Sequence, residues 1–283
     1  IKGMQTLEDD YIRELFVTTT HHYIMFFTNK GRVYRLKGYE IPEYGRTAKG
    51  IPVINLLGVD SSEKIQTVIA VNQQSQEESY LFYITKLGVV KRTDVKAFSN
   101  IRSNGLIAVG LKENDELVKV LQTNGNNAVI IGTHNGYTVT FKEDAVRNMG
   151  RTAAGVRGIR LREQDYVIGA SIIESDDEVL VITENGYGKR TKSSEYPIKG
   201  RGGKGIKTAN ITEKNGPLAG LTTVKGDEDV LLITDRGVLI RFHVDSVSQT
   251  GRATLGVRLM KMEENTKVVT KAIVEPEEIE EET

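Results

Sequence analysis

Gly200-Arg201-Gly202-Gly203-Lys204-Gly205 is one copy of a six-residue signature, Gly-Arg-x-x-x-Gly, that recurs along this 283-residue chain. Further copies begin at Gly45, Gly150 and Gly251, and a degenerate copy extends from Asn100 to Gly105. The closing glycines occupy positions 50, 105, 155, 205 and 256, so successive copies lie 50 to 55 residues apart. A regular period of this length predicts an array of similar units, as in a propeller or a solenoid.

A second landmark follows the same period. Five short apolar runs each end in Thr-x-x-Gly and continue into an alternating segment, at Thr28–Gly31, Thr85–Gly88, Thr133–Gly136, Thr183–Gly186 and Thr234–Gly237. This pattern predicts β-hairpins, with glycine supplying the positive φ of the turn. After each signature a further pair of strands is predicted, joined by a mostly acidic turn such as Glu163-Gln164-Asp165. Four short strands in about 50 residues is typical of a propeller blade.

The two ends of the chain suggest that one unit is incomplete. Ile1–Met4 aligns with Ile206–Ala209, which follows a signature, whereas the strand pair after Gly256 has no hairpin behind it. The sequence therefore predicts an all-β disc of six blades, whose first hairpin and first signature would lie upstream of Ile1. We expect residues 1–274 to form this domain and residues 275–283 to form an acidic tail.

Basic residues recur in register with both landmarks. The fourth residue after the hairpin glycine is arginine in four of five units, and further cations flank it or lie in the signatures. The predicted phosphate-binding set is Arg32, Arg35, Lys37, Arg46, Lys49, Lys91, Arg92, Arg102, Arg151, Lys189, Arg190, Lys192, Lys199, Arg201, Lys204, Arg241 and Arg252, with the backbone of Gly202, Gly203 and Gly205.

Arginine suits this role because its planar fork donates two hydrogen bonds to one phosphate, and glycine-rich turns let backbone N–H groups approach as well. In a ring of blades these residues would form a basic belt. Aromatic residues make up 6% of the chain and tryptophan is absent, so no stacking platform for single strands is evident. The expected partner is the backbone of duplex DNA, with little readout of base sequence. The alternative is that each arginine braces its own blade by pairing with an acidic turn.

The formal net charge of +0 conceals an asymmetry between the body and the tail. Residues 275–283 contain six glutamates and no basic residue, which leaves 38 basic against 32 acidic residues, a net charge of +6, in residues 1–274. A basic body fits a polyanionic partner. The tail is either a solvated terminus or a regulatory element that competes with DNA; in the second case its deletion tightens DNA binding.

Several other classes of site are not supported. The segment Gly200–Gly205 matches a dinucleotide-binding pattern, but no helix follows it. The four histidines lack metal-ligand spacing, there is no cysteine, and no catalytic grouping recurs. We therefore expect no catalytic residue, metal or cofactor in this part of the protein. The lack of cysteine, of a secretion signal and of a long apolar run indicates a cytoplasmic protein without a membrane anchor.

Arg201–Gly205 resembles the glycine-rich box of the DNA gyrase A subunit family, although Lys199 and Gly200 depart from the family's pattern. Gly31–Tyr34, Gly50–Leu56 and Asn185–Thr191 are also similar to the repeats of that subunit's C-terminal domain. The resemblance covers the whole chain. It implies a six-bladed β-pinwheel, in which neighbouring blades exchange strands.

The resemblance also implies a function. The domain would bend duplex DNA around a basic outer rim and so support the ATP-dependent negative supercoiling performed by gyrase, a type IIA topoisomerase. Its partners would be duplex DNA, the B subunit of gyrase and the rest of the dimeric A subunit, whereas the isolated domain would be a monomer. In the family the principal box lies in the first unit, which here would fall just before Ile1.

Two alternatives remain open at this point. The nearest is the C-terminal domain of the topoisomerase IV A subunit, whose boxes are fewer or degenerate. The other is a propeller-like protein-interaction scaffold, which would not bind DNA.

Overall fold

The computed structural model describes residues 22–43, 51–71 and 78–274. The described chain is built almost entirely of β-strands, with one five-residue helix, α1 (Val53–Leu57), and a single turn of 3-10 helix after each hairpin. Three predicted features lie outside the described residues: the segment aligned with a fourth strand at Ile1–Met4, the signature Gly45–Gly50, and the acidic tail at 275–283.

Each unit contains a hairpin and a longer third strand. The hairpins are β1 (Tyr23–Thr28) with β2 (Arg32–Lys37), β4 (Tyr80–Thr85) with β5 (Val89–Asp94), β8 (Ala128–Thr133) with β9 (Tyr137–Lys142), β12 (Glu178–Thr183) with β13 (Tyr187–Lys192), and β16 (Asp229–Thr234) with β17 (Leu239–His243). The third strands are β3 (Ile65–Val71), β7 (Leu117–Thr123), β11 (Val167–Ile173), β15 (Leu218–Val224) and β19 (Val268–Val274). Two-residue strands follow four of the signatures: β6 (Leu106–Ile107), β10 (Val156–Arg157), β14 (Ile206–Lys207) and β18 (Val257–Arg258).

The five hairpins predicted from Thr-x-x-Gly are confirmed, and the motif works through two local contacts. Each threonine Oγ accepts a hydrogen bond from the backbone N–H four residues later, at 3.1–3.3 Å. Each glycine has φ between +76° and +87°, a region that other residues adopt only with strain. The turn is therefore specified by residues that are adjacent in sequence.

The sheets exchange strands. Their orders are β3-β1-β2-β6, β7-β4-β5-β10, β11-β8-β9-β14, β15-β12-β13-β18 and β19-β16-β17. In each four-stranded sheet the last strand follows the signature of the next unit along the chain. The pairing is antiparallel, as in Ile206 with Thr138 and Lys207 with Tyr137. This exchange is what the resemblance to the pinwheel family implied.

The hydrophobic cores lie between neighbouring sheets. One cluster joins Phe82 and Ile84 of the second sheet to Val129, Ile131 and Phe141 of the third. Successive third strands contact one another, β3 with β7, β7 with β11, β11 with β15 and β15 with β19. These strands form the inner edge of the array, so the exchanged strands and the signatures lie at the opposite edge, here called the outer edge.

The fifth sheet has three strands among the described residues, and its outer edge is open. Val238 and Leu239 are 45% and 43% exposed. The residues equivalent to Leu239 in the first two sheets, Val33 and Val90, are 0% exposed because an exchanged strand covers them. The structure thus shows an all-β array of five blade-like sheets, which is compatible with the six blades expected from the sequence.

Candidate nucleic-acid interface

The signatures form tight loops at the outer edge, and their closing glycines permit a close approach to the hairpin of the preceding unit. Gly155 has φ +87°, and a Cβ placed there would lie 2.4 Å from the carbonyl oxygen of Val90. At Gly205, with φ +78°, a Cβ would lie 2.5 Å from the oxygen of Thr138. A side chain cannot be accommodated at either distance. The closing glycine therefore allows the exchanged strand that follows it to pair.

One loop is surrounded by cations. The segment 157–162 lies against the loop Gly200–Gly205, since the N–H of Arg160 donates to Gly203 O and the N–H of Gly202 donates to Gly158 O, both at 2.8 Å. The guanidinium of Arg162 donates to Lys204 O and lies 3.5 Å from the ring centroid of Tyr137. We call the resulting cluster the box patch; it comprises Arg157, Arg160, Arg162, Lys199, Arg201, Lys204 and Lys207.

The box patch has the character of a polyanion-binding surface. Six of its seven cations are exposed, and Arg162 is half-buried. Among the described residues none of the seven forms an ion pair with a carboxylate. Sequence reasoning found Lys199, Arg201 and Lys204 but missed Arg157, Arg160, Arg162 and Lys207. The arginines that recur through residues 156–162, directly after a signature glycine, were the signal that could have found most of them.

The signature arginines also join neighbouring units. Arg201 donates from Nε to Ala145 O at 3.1 Å and from Nη1 to Arg157 O at 2.6 Å. Arg252 donates from Nη1 to Lys207 O at 2.9 Å. The structure therefore gives these two arginines a bracing role, and their partners are mainly backbone carbonyls and not the acidic turns.

The arginines four residues after the hairpin glycines are held within the sheets. Arg190 Nη1 lies 2.8 Å from Glu178 Oε2, Arg241 Nε lies 2.7 Å from Asp229 Oδ2, and Arg92 Nη1 lies 3.4 Å from the buried Glu143. Arg35 donates to Ser99 O at 2.9 Å and lies over the ring of Tyr23. These contacts brace the sheets, but the carboxylates lie at the starts of β12 and β16 and in a 3-10 turn and not in the predicted acidic turns. They leave less of each guanidinium available to an external phosphate.

The prediction that Lys91 and Lys189 contact DNA is wrong for the folded chain. They are 0% and 1% exposed, and each ammonium group is enclosed by backbone carbonyls of a signature loop. Burial lowers the pKa of each lysine from 10.5 to about 8, so both remain largely protonated at neutral pH. Neither ammonium group can reach a phosphate at the surface.

The remaining predicted residues have different surroundings. Arg102 and Lys192 are exposed, and Arg151 is half-buried. Arg32 donates to Asn104 O at 2.6 Å, and Lys37 lies 5.4 Å from the ring centroid of Tyr39. A hydrogen bond to Tyr39 is the main cause of the raised pKa of Lys37. Arg46 and Lys49 lie outside the described residues.

A group of three carboxylates, Glu174, Asp176 and Asp177, is the one set of possible metal ligands found among the described residues. Lys225 occupies it, with Nζ 3.0 Å from Glu174 Oε2 and 2.9 Å from Asp177 Oδ1. These hydrogen bonds raise the pKa of Lys225. We therefore interpret the group as a salt-bridge cluster. In the described part of the chain no helix is long and apolar enough to cross a membrane.

The repeat period seen in the sequence and the structure matches the repeat of a known family. The model of the "DNA gyrase C-terminal domain, beta-propeller" family matches residues 22–72, 79–124, 127–174, 177–225 and 228–274, one segment for each unit. The chain belongs to this family. It shares 60% identity with the DNA gyrase A subunit of Streptococcus pneumoniae over 282 residues. The aligned region covers 99% of this chain and 34% of the relative.

Other relatives agree. The DNA gyrase A subunit of Halalkalibacterium halodurans is 62% identical over 278 residues, covering 98% of this chain and 33% of the relative. The chain thus spans about a third of the length of the curated relatives that it matches. Among solved structures, the C-terminal domain of DNA topoisomerase IV has a TM-score of 0.83 at 28% identity, covering 90% of this chain and 80% of that one. The DNA gyrase A C-terminal domain has a TM-score of 0.78 at 24% identity, covering 91% and 84%, and supports the fold alone.

Proposed function

We propose that this domain binds duplex DNA through its backbone, without sequence specificity, and bends it along the outer edge of the blades. In the complete enzyme this wrapping would support ATP-dependent negative supercoiling by a cytoplasmic gyrase, together with a B subunit of gyrase and the rest of a dimeric A subunit. The domain itself would contribute no catalytic residue or cofactor. The observation that carries the proposal is the box patch, a surface of seven cations without carboxylate partners among the described residues.

Electrostatics makes the proposal energetically reasonable. Bending 20–30 base pairs by 40–90° costs on the order of 1–6 kcal/mol. Neutralising several phosphates releases counterions and can offset that cost at moderate salt. The contacts that the box patch offers, guanidinium and ammonium groups on a glycine-rich loop, favour phosphate over base edges.

The proposed function is tested by binding and topology together. We expect the protein to retard linear duplexes of unrelated sequence equally, with affinity that falls steeply as salt rises. If all seven cations of the box patch contact phosphates, the slope of log K against log salt is about −6. We also expect circles nicked and religated in its presence to show a shifted linking number. Binding that is insensitive to salt would refute the electrostatic mechanism.

The alternatives are separated by the same two assays. A protein-interaction scaffold would leave duplex DNA unretarded. A domain of the topoisomerase IV kind is kept as an alternative because of its structural similarity. We expect such a domain to bind DNA but to shift the linking number little. The gyrase interpretation is favoured by the family match and by the intact loop Gly200–Gly205.

We further propose that a sixth unit completes the array at the open edge of the fifth sheet. By analogy with β14, which pairs with residues 137 and 138, the segment Ile1–Lys2 has the sequence of the strand that would pair with Val238 and Leu239. In a longer protein that includes the upstream unit, we expect amide hydrogen exchange at Leu239 to slow at least tenfold, whereas the N–H of Val238 is already bonded to Thr234 Oγ1. Unchanged exchange at Leu239 would contradict the proposal, and Val90, already covered by β10, serves as the reference.

A further inference from the structure

Lys91 and Lys189 occupy the same place in two different units. Each is the third residue after its hairpin glycine, and the signature loop of the next unit folds over it. Lys91 Nζ donates to Ala108 O at 2.6 Å, to Gly150 O at 3.0 Å and to Arg151 O. Lys189 Nζ donates to Gly251 O at 2.8 Å, to Arg252 O at 2.5 Å and to Thr254. Tyr34, Val139 and Ile240 occupy this position in the other units.

The chemistry of the enclosed group explains the contacts. An ammonium group has three donors and no acceptor, so it matches a set of converging carbonyl oxygens. Enclosing a cation without a carboxylate is energetically costly. Because two units nevertheless repeat this arrangement, we infer that the shape it gives to the signature loop has a function. Apart from the groups that accept these hydrogen bonds, Lys91 interacts with the charge of Arg151 and with the ring of Tyr83, and Lys189 interacts with the charges of Glu195 and Arg252.

Because the peptide bond is planar and trans, each of these inward-facing carbonyls is accompanied by an N–H group that faces outward. In a planar trans peptide the N–H points away from the C=O of the same unit. Because Gly150 O and Arg151 O face the buried ammonium, the N–H groups of Arg151 and Thr152 face the opposite way, toward the surface where Thr152 is exposed. Among the described residues neither N–H has an acceptor. Successive outward N–H groups are a common anion-binding arrangement.

The equivalent signature loop, Gly251–Gly256, which folds over Lys189, is here called the twin loop. It shows that this arrangement binds an anion. In the loop Gly251–Gly256 the outward N–H of Arg252 donates to the carboxylate of Glu195 at 3.0 Å, and Arg252 Nε lies 3.9 Å from the same oxygen. The residue equivalent to Glu195 beside the loop Gly150–Gly155 is Ala97, counted from the hairpin glycine. The same loop shape is thus filled by a carboxylate in one unit and left open in the other.

We propose that the loop Gly150–Gly155 is a phosphate site formed by the N–H groups of Arg151 and Thr152, and that Lys91 is the positioning residue that holds it open. The twin loop has the same design under Lys189, but the carboxylate of Glu195 blocks it. The inference rests on the proposed DNA binding, and it adds a backbone contact distinct from the box patch. Lys91 acts through the loop and does not touch DNA.

The test compares single variants by fluorescence anisotropy with a duplex of about 40 base pairs at about 0.1 M salt. Lys91→Met should weaken binding roughly eightfold, the loss expected for one phosphate contact under these conditions. Lys189→Met should change affinity less than twofold, because the loop that it holds is already occupied. Equal effects of the two variants would overturn the proposal.

A gain of binding gives an independent readout that a merely structural role would not produce. Glu195→Ala should tighten DNA binding about fivefold by opening the twin loop, and adding Lys189→Met should remove that gain. Glu213→Ala removes an exposed carboxylate elsewhere in the same unit and controls for the change in charge. If Glu195→Ala behaves like Glu213→Ala, the twin loop is not a phosphate site.

The wild-type protein supplies a test that does not depend on any variant folding. On addition of duplex, the backbone amide signals of Arg151 and Thr152 should shift and become protected from exchange, whereas those of Ala253 should not. DNA binding without protection at Arg151 and Thr152 would refute this site alone. No DNA binding at all would refute the proposed function.

Discussion

Replacing Arg160, Lys199 and Lys204 together with glutamine is expected to weaken duplex DNA binding by about two to three orders of magnitude at about 0.1 M salt. If each of these side chains neutralises one phosphate, their loss removes three contacts and makes the slope of log K against log salt shallower by about 2.7. All three are exposed, and among the described residues none is engaged in an ion pair. Titrations at several salt concentrations measure both quantities.

The matched control removes the same charge from another part of the surface. Lys112, Lys214 and Lys261 are also exposed and lie in or beside the turns that join the second strand pairs. Their replacement by glutamine should weaken binding less than tenfold and leave the salt slope nearly unchanged. Both triple variants should melt within about 2 °C of the wild type, since surface substitutions of this kind rarely change stability by more than about 0.5 kcal/mol. Equal losses in the two variants would show that net charge, and not the box patch, determines affinity.

Gly155→Ala is expected to destabilise the fold by about 2–4 kcal/mol. A non-glycine residue held at a positive φ costs about 1–3 kcal/mol, and here the new Cβ would also lie 2.4 Å from Val90 O. To relieve that contact, β10 must move away from β5 and lose its pairing of Val156 with Val90. Urea denaturation gives the change in the free energy of unfolding.

Gly150→Ala is the control within the same signature. A Cβ at Gly150 meets nothing within 4 Å, and its φ is not positive. We expect a change of less than about 0.5 kcal/mol. If the two variants are equally destabilised, the close approach at the closing glycine is not what the signature requires. If neither is destabilised, the exchanged strand does not depend on this glycine.

The hairpins could be predicted because their causes are local. In Thr28–Gly31 and its four repeats, a threonine Oγ bonds an N–H four residues away and a glycine adopts a positive φ. Both features depend on neighbours in sequence, so a pattern of residue types is enough to reveal them. The repeat period could also be found from residue types alone, because the spacing of the motifs gives the number of units without any information on their packing.

The candidate site could be predicted only in part, because cations of the same type have different surroundings. Lys91 and Lys199 look alike in the sequence, and both lie near a predicted turn. In the fold Lys91 is enclosed by Gly150 and Arg151, about 60 residues away, whereas Lys199 is exposed. Arg157 and Arg160 gave a weaker signal, and their importance follows from contacts between two units, of Arg160 with Gly203 and of Arg157 with Arg201.

The sequence by itself determined the repeat, the β-hairpins and the excess of basic residues in residues 1–274. The tertiary structure decided which glycine of each signature is indispensable and which cations can meet a phosphate. The physical reason is strand exchange. Each signature packs on the hairpin of the preceding unit, so its neighbours lie about 60 to 70 residues away, where no local pattern can reveal which groups are buried.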